Sequence, residues 1–277
     1  MLLALLGGLS LAAAAAGSGS GSSAGSVVAP QLVDMNLFVG GQGGYACYRL
    51  PNLVQLREPG HMLAIVQGHK YDCSDGGRMD ILSRRSTTGG RSWEAPRFVY
   101  GESTPTKNVT MGTPAAVVDM HSPNSAGAVY LFICRNFKQV LLLASQDSGQ
   151  TWGKPRDLTQ ALVPTDWTGV WTGLPQGIQL DSGRLIVCAN HGVSGSSVRP
   201  GGTHSHTIYS DTHGLTWRNG ASVSAANATA QHMGECSLAQ TSAGVFLYAR
   251  VWWDDGEPGN GRSTRALAFS TGEHHRL

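Results

Sequence analysis

This chain is poor in charge. Asp, Glu, Lys and Arg make up 14% of its 277 residues, and 20 basic against 18 acidic side chains leave a formal charge of +2. That balance supplies no basic face of the kind nucleic acid needs, so nucleic acid is not an expected partner. Helical periodicity is weak throughout, leaving strands as the elements to look for. Cysteine is sparse too: Cys47, Cys73, Cys134, Cys188 and Cys236 are widely spaced and odd in number, so at least one stays unpaired within the chain. Buried free thiols in strands are their expected state. No CxxC or His/Cys spacing is present, and Thr203-His-Ser-His206 lacks a third ligand at a convincing spacing, so neither a metal nor any other cofactor is expected.

Long apolar runs are missing except at the start. Residues 1–17, MLLALLGGLSLAAAAAG, end in small residues that suit a signal peptidase, although a basic n-region is lacking. A signal anchor is the alternative, but Leu2 to Ala16 is short for a membrane span. Residues 18–29 follow as a Gly/Ser/Ala-rich linker, and residues 30–277 carry the fold. The sequons Asn108-Val109-Thr110 and Asn227-Ala228-Thr229 agree with a secretory route. The expected location is the secretory pathway, with a secreted or a lysosomal or membrane-associated end point.

What the chain does have is a repeat. STTGGRSW at Ser86, SQDSGQTW at Ser145, SDTHGLTW at Ser210 and a broken STGEHHRL at Ser270 recur at steps of 59, 65 and 60 residues. Between them lie strand-length apolar runs such as Met62–Val66, Met79–Leu82, Ala115–Val118, Ala128–Cys134, Val140–Ala144, Gly177–Leu180, Leu185–Ala189, Thr207–Tyr209 and Val245–Val251. Four short strands per repeat predict an all-β chain folded as a β-propeller. At about 60 residues per blade, residues 30–277 hold about four blades.

The stretch from Tyr45 to Trp93 carries the chemistry. It opens on Tyr48-Arg49-Leu50-Pro51, passes two apolar runs and an acidic loop holding Asp72 and Asp75, and closes on Arg84-Arg85-Ser86 before the first repeated turn. YRLP, then an acidic loop, then RRSTTGGRSW resembles the start of an exo-alpha-sialidase of the neuraminidase type, and the resemblance extends from about Tyr45 to the C-terminus. In that family SxDxGxTW is the Asp box. Ser and Asp accept backbone N–H groups, Gly takes positive φ and Trp packs the hairpin. Only the second copy is complete, with Asp147; Thr88 stands at the Asp position of the first, and the third has Thr212 there with Asp211 one place early. The resemblance implies a six-bladed propeller, so the chain is expected to be incomplete at its C-terminus.

It also implies a reaction, hydrolysis of terminal α-linked sialic acids from glycoproteins, gangliosides and oligosaccharides with retention of configuration. Membrane contact would come only through glycolipid substrate. A sugar bearing a carboxylate calls for guanidinium, whose planar fork matches the anion and does not titrate away. Arg49 matches the first of the family's three arginines, and Arg250, 15 residues after Glu235, resembles the second. Asp75 best matches the acid that protonates the leaving oxygen, with Asp72 and Asp80 as rivals. Glu235 resembles the base that polarises a tyrosine nucleophile, an exception to two-carboxylate glycosidase chemistry. The third arginine and the tyrosine follow the fourth box in the family, and no Tyr lies after Tyr248 here. A non-catalytic sialic-acid-binding propeller is thus the alternative; a structural Asp-box protein would not require Arg49, the acidic loop and Glu235 together. Met111-Gly-Thr-Pro114, Leu174–Leu180 and Gly183–His191 resemble site walls, and Trp167 and Trp171 face either the sugar or a blade interface. His69 and Lys70 replace an arginine that often follows the second strand.

Overall fold

A computed structural model describes residues 33–124, 126–193, 202–223, 231–253 and 263–270. All the strands belong to one unit, Asn36–Leu277. The first sheet is β1 (Cys47–Gln55), β2 (Met62–His69), β3 (Met79–Ser86) and β4 (Arg97–Tyr100), antiparallel and in chain order. The second repeats it with β5 (Met111–Asp119), β6 (Ala128–Arg135), β7 (Gln139–Ser145) and β8 (Arg156–Asp157). A one-turn helix, α1 (Thr159–Leu162), leads to the third. There the first strand is split into β9 (Trp167–Trp171) and β10 (Ile178–Gln179), which both pair with β11 (Leu185–Val193), followed by β12 (Thr203–Ser210) and β13 (Arg218–Val223). The fourth sheet is β14 (Gln231–Thr241), β15 (Gly244–Trp253) and β16 (Ser263–Ser270). These are four propeller blades, the number the repeat predicted. Residues 271–277, which hold most of the broken fourth turn, lie outside the described residues.

Apolar faces of successive blades make three layers of core. Leu63, Ile65 and Ile81 of blade one meet Met111, Leu131 and Ile133 of blade two. Val117, Phe132 and Leu142 meet Val187, Ile208 and Trp217 of blade three. Ile186 and Cys188 meet Met233, Val245 and Leu247 of blade four. Blades two and three are buried on both faces, so their strands read as continuous apolar runs rather than as alternation. The face of blade four turned away from this core carries exposed Tyr248, Leu267 and Phe269.

The repeated turns join the third and fourth strands of the blades. In the second, Ser145 Oγ accepts the Asp147 and Gly149 amides, and Asp147 Oδ1 accepts those of Gln150 and Thr151. Although burial works against the charged form, these bonds and those from the Thr151 and Ser145 hydroxyls hold the Asp147 carboxyl down at about 2. The other two turns keep the same geometry without a carboxylate. Thr88 Oγ1 accepts the Ser92 amide and Thr212 Oγ1 accepts that of Thr216, each at 2.9 Å, so a hydroxyl does the work of one Asp oxygen. Asp211 is not part of its turn; it forms a two-point ion pair with Arg184 at 2.6 and 2.9 Å. Glycine is required by space as well as by φ, since a Cβ on Gly214 would sit 2.1 Å from the Tyr130 ring of the preceding blade.

Three histidines occupy the core layer between blades two and three. His191 stacks on Trp167 with ring centroids 3.6 Å apart, and its Nδ1 lies 3.0 Å from Nδ1 of His206. Burial, and then the neighbouring His204, push His191 down to about 4, with Asp166 opposing; burial and His191 hold His206 well below the ordinary value. His204 is lowered in turn by burial and by His232. The unfolded chain takes up these protons near pH 6.5 and the folded chain does not, so stability is complete above that pH and falls as pH drops toward 4. His191 alone is expected to cost about 3 kcal/mol across that window. Thermal melts between those pH values check this, and His191→Phe, which keeps a ring on Trp167 but cannot titrate, should flatten the slope.

Candidate functional site

The innermost strand of every blade is broken at the same height. On β1, Leu50 and Pro51 stand against one residue of β2, between the pairs Arg49–Gln67 and Asn52–Ile65. On β5, Thr113 and Pro114 bulge in the same way between Gly112–Cys134 and Ala115–Phe132. On β14 the bulge is Gly234 and Glu235, between Met233–Val251 and Cys236–Ala249. In blade three the interruption widens to the six residues between β9 and β10. A bulge bends its strand and re-aims a side chain, so the four breaks together open a cleft where the blades converge. Leu50 and Thr113 hold φ of 54° and 44° immediately before proline, a strained combination costing about 1–3 kcal/mol each. The repeated X-Pro in YRLP, MGTP and GLPQ is the sequence trace of these breaks.

Backbone groups released by the bulges are satisfied from an adjoining blade. Asn52 Nδ2 donates to Pro114 O at 2.8 Å, Thr172 Oγ1 to Thr113 O at 2.8 Å and Ser205 Oγ to Gly234 O at 2.7 Å. Left unpaired, each buried carbonyl would cost about 1–3 kcal/mol. Asn52, Thr172 and Ser205 are all fully or almost fully buried, and they fix the height of one blade against another.

The cleft has a volume of about 410 Å³, enough for a monosaccharide. It is lined by Arg49, Leu50, Gln67, Asp75, Thr113, Phe137, Trp171, Gly173, Leu174, Asn190, Thr203 and Glu235. Three of the four residues singled out in the sequence, Arg49, Asp75 and Glu235, therefore share it. The fourth, Arg250, stands opposite the β14 bulge, and its Nη1 lies 3.1 Å from Glu235 Oε2. Arg49 Nη1 contacts Asp75 Oδ1 at 2.6 Å and Cys73 O at 2.8 Å. Of the two rival carboxylates, Asp72 caps its own loop through the Ser74 amide and hydroxyl. Asp80 is buried between the Tyr45 hydroxyl at 2.8 Å and Lys70 at 3.0 Å. Lys70 thus lies over the Tyr45 ring and is committed to Asp80, while His69 is buried.

Of the wall candidates, Thr113, Leu174 and Asn190 face the cleft. Trp171 does so too, packed at 6.0 Å on Phe137, whereas Trp167 belongs to the histidine layer. Phe137, Gln67 and Thr203 escaped the sequence reading. Phe137 sits in the β6–β7 turn at φ 55°, where nothing in Arg135-Asn-Phe-Lys138 announces a binding residue.

The expectation of free thiols is overturned for four of the five cysteines. Cys47 bonds Cys73 and Cys188 bonds Cys236; only Cys134 is free, and it is buried. The paired positions are 26 and 48 residues apart in sequence but 5.5 and 5.8 Å apart at Cα, within bridging range. The fold brings together what the spacing separates. Cys47 and Cys73 each precede a cleft residue, Arg49 and Asp75, by two positions, and Cys236 adjoins Glu235.

Residues 60–255 match the model of the BNR repeat-like domain family. The chain is similar to mouse Sialidase-3, with 30% identity over 250 residues, covering 80% of this chain and 56% of that protein. Among solved structures it is similar to Hadza microbial sialidase Hz136, with a TM-score of 0.67 at 21% identity over 86% of this chain and 48% of that one. It is also similar to Trypanosoma rangeli sialidase in complex with sialic acid, with a TM-score of 0.59 at 16% identity over 82% and 37%. The chain spans about half the length of the curated relatives it matches. With the repeated turns, the four blades and the matched residues together, the chain belongs to the BNR repeat-like domain family.

Proposed function

We propose that the protein hydrolyses terminal α-linked sialic acids from glycans. The observation that carries this reading is the convergence of Arg49, Asp75 and Glu235, from the first and fourth blades, on one sugar-sized cleft. Arg49 and Arg250 hold the substrate carboxylate through charge-assisted bonds. Asp75 passes its proton to the glycosidic oxygen as the bond to the anomeric carbon breaks. Glu235 serves as the base for the nucleophile, a tyrosine in the family. Terminal sialic acids on glycoproteins, gangliosides and oligosaccharides are the substrates proposed, and they require no cofactor. The test is hydrolysis of a fluorogenic α-sialoside at mildly acidic pH, beside a neutral glycoside with the same leaving group. Only the sialoside is expected to turn over, and Arg49→Ala should raise KM about tenfold to a hundredfold.

One observation favours a second reading. Among the described residues no tyrosine lines the cleft, which suits a non-catalytic sialic-acid-binding propeller. Arg49-dependent binding without turnover would select it; absence of binding would remove both.

The two disulfides, the signal-like start and an exposed Asn108 support passage through the secretory pathway. Protein secreted from eukaryotic cells is expected to carry an N-glycan at Asn108. Endoglycosidase digestion should shift its mobility, and Asn108→Gln should remove that site's share of the shift.

A further inference from the structure

Both arginines that would receive a substrate carboxylate already hold one. Arg49 is paired with Asp75 and Arg250 with Glu235, the two carboxylates of the cleft itself. We propose that Asp75 is a displaceable competitor for Arg49, so that a ligand carboxylate must exchange with it to enter and the cleft discriminates against neutral sugars. This deepens the reading of the cleft as a sialic-acid site and rests on it.

The geometry makes the exchange local. Cys73 is bonded to Cys47, and Gly77 is pinned by Thr110, whose Oγ1 accepts the Gly77 amide at 3.0 Å and donates to the Gly77 carbonyl at 3.2 Å. Between these two anchors lie only Ser74, Asp75 and Gly76, and the single Ser74 hydroxyl proton is shared between Asp72 Oδ1 and the Gly76 carbonyl, both within hydrogen-bond distance of Ser74 Oγ. The loop backbone is therefore held on both sides, and the Asp75 side chain can leave Arg49 by rotating about its own bonds. Arg49 keeps its direction when that happens, because Cys73 O still accepts from the same Nη1 at 2.8 Å.

The energetics favour exchange. The Asp75 side chain is 85% exposed, so its pair with Arg49 is of the solvated kind and is held only weakly. A ligand carboxylate inside the cleft replaces that pair with one in a drier setting, where a charge-assisted bond is stronger. A neutral sugar has nothing to offer in exchange. It leaves Arg49 with Asp75, and Asp75 turned away from any glycosidic oxygen. The same step that seats the right ligand frees the acid.

Removing the competitor should therefore tighten binding of the acid alone. Wild type and Asp75→Ala would be titrated calorimetrically with N-acetylneuraminic acid and with its methyl ester, thermal melts showing that the variant is folded. The expected result is a Kd about three- to fivefold lower for the acid in Asp75→Ala and unchanged for the ester. Equal or weaker binding of the acid by the variant overturns the exchange while leaving the sialic-acid reading intact. If neither protein binds the acid, that reading fails and the exchange falls with it. Tightening of acid and ester alike also overturns it, because the gain would then come from space rather than charge.

Discussion

Alanine at Asp75 or at Glu235 is expected to lower kcat for sialoside hydrolysis by roughly 100- to 10,000-fold, the usual contribution of a positioned acid or base. The two losses should differ with the leaving group. An aryl sialoside releases a phenolate that needs little protonation, whereas a sialylated oligosaccharide releases a sugar alkoxide that needs a proton badly. Asp75→Ala should therefore be far more damaging on sialyllactose than on the aryl substrate, and Glu235→Ala about equally damaging on both. Measuring kcat for the four combinations assigns the roles. Equal sensitivity of Asp75→Ala to both leaving groups would take proton donation away from Asp75. Since Asp75→Ala also removes the competitor for Arg49, its weakened turnover should come with tighter ground-state binding, a split between the two constants that a misfolded variant would not produce.

The fold was legible because its signals are local. Apolar runs such as Leu185–Ala189 and turns such as Ser145–Trp152 announce themselves within a few residues; eight of the nine such runs fall inside observed strands, and the ninth, Gly177–Leu180, brackets the two-residue β10. The incomplete turns were legible as turns, yet Thr88 and Thr212 read as defects until the hydroxyls were seen accepting the amides an Asp would take. At the site, Arg49, Asp75 and Glu235 could be found because each sits in a recognisable string. The reason for those strings could not. That Leu50-Pro51, Thr113-Pro114 and Gly234-Glu235 are three copies of one strand break depends on cross-strand register, which no window of sequence holds. Phe137 and the cysteine pairs were hidden for the same reason, since partners 26 and 48 residues apart meet only through the blade geometry.

Replacing Cys188 and Cys236 together by alanine is expected to destabilise the protein by about 4 kcal/mol. Closing a loop of 48 residues removes about that much chain entropy from the unfolded state. For a domain of this size the loss corresponds to a fall in Tm of about 8–15 °C. The bridge runs from β11 of blade three to β14 of blade four, within the apolar layer that those blades share. Its loss leaves that layer in place, so the variant should still fold, but blade four should open first on heating. Cys47–Cys73 spans 26 residues and would by the same relation contribute about 3.5 kcal/mol. It joins a strand end to an exposed loop of the same blade, so its removal should act mainly on the placement of Asp75 beside Arg49. The two double variants thus separate by readout: the inter-blade pair shifts Tm with turnover largely kept, and the intra-blade pair lowers turnover by misplacing Asp75, without weakening binding of the acid, beside its own loss of Tm. Thiol titration of the unreduced, denatured wild type supplies the direct check. One reactive thiol, Cys134, is expected, and five would show that neither bridge forms.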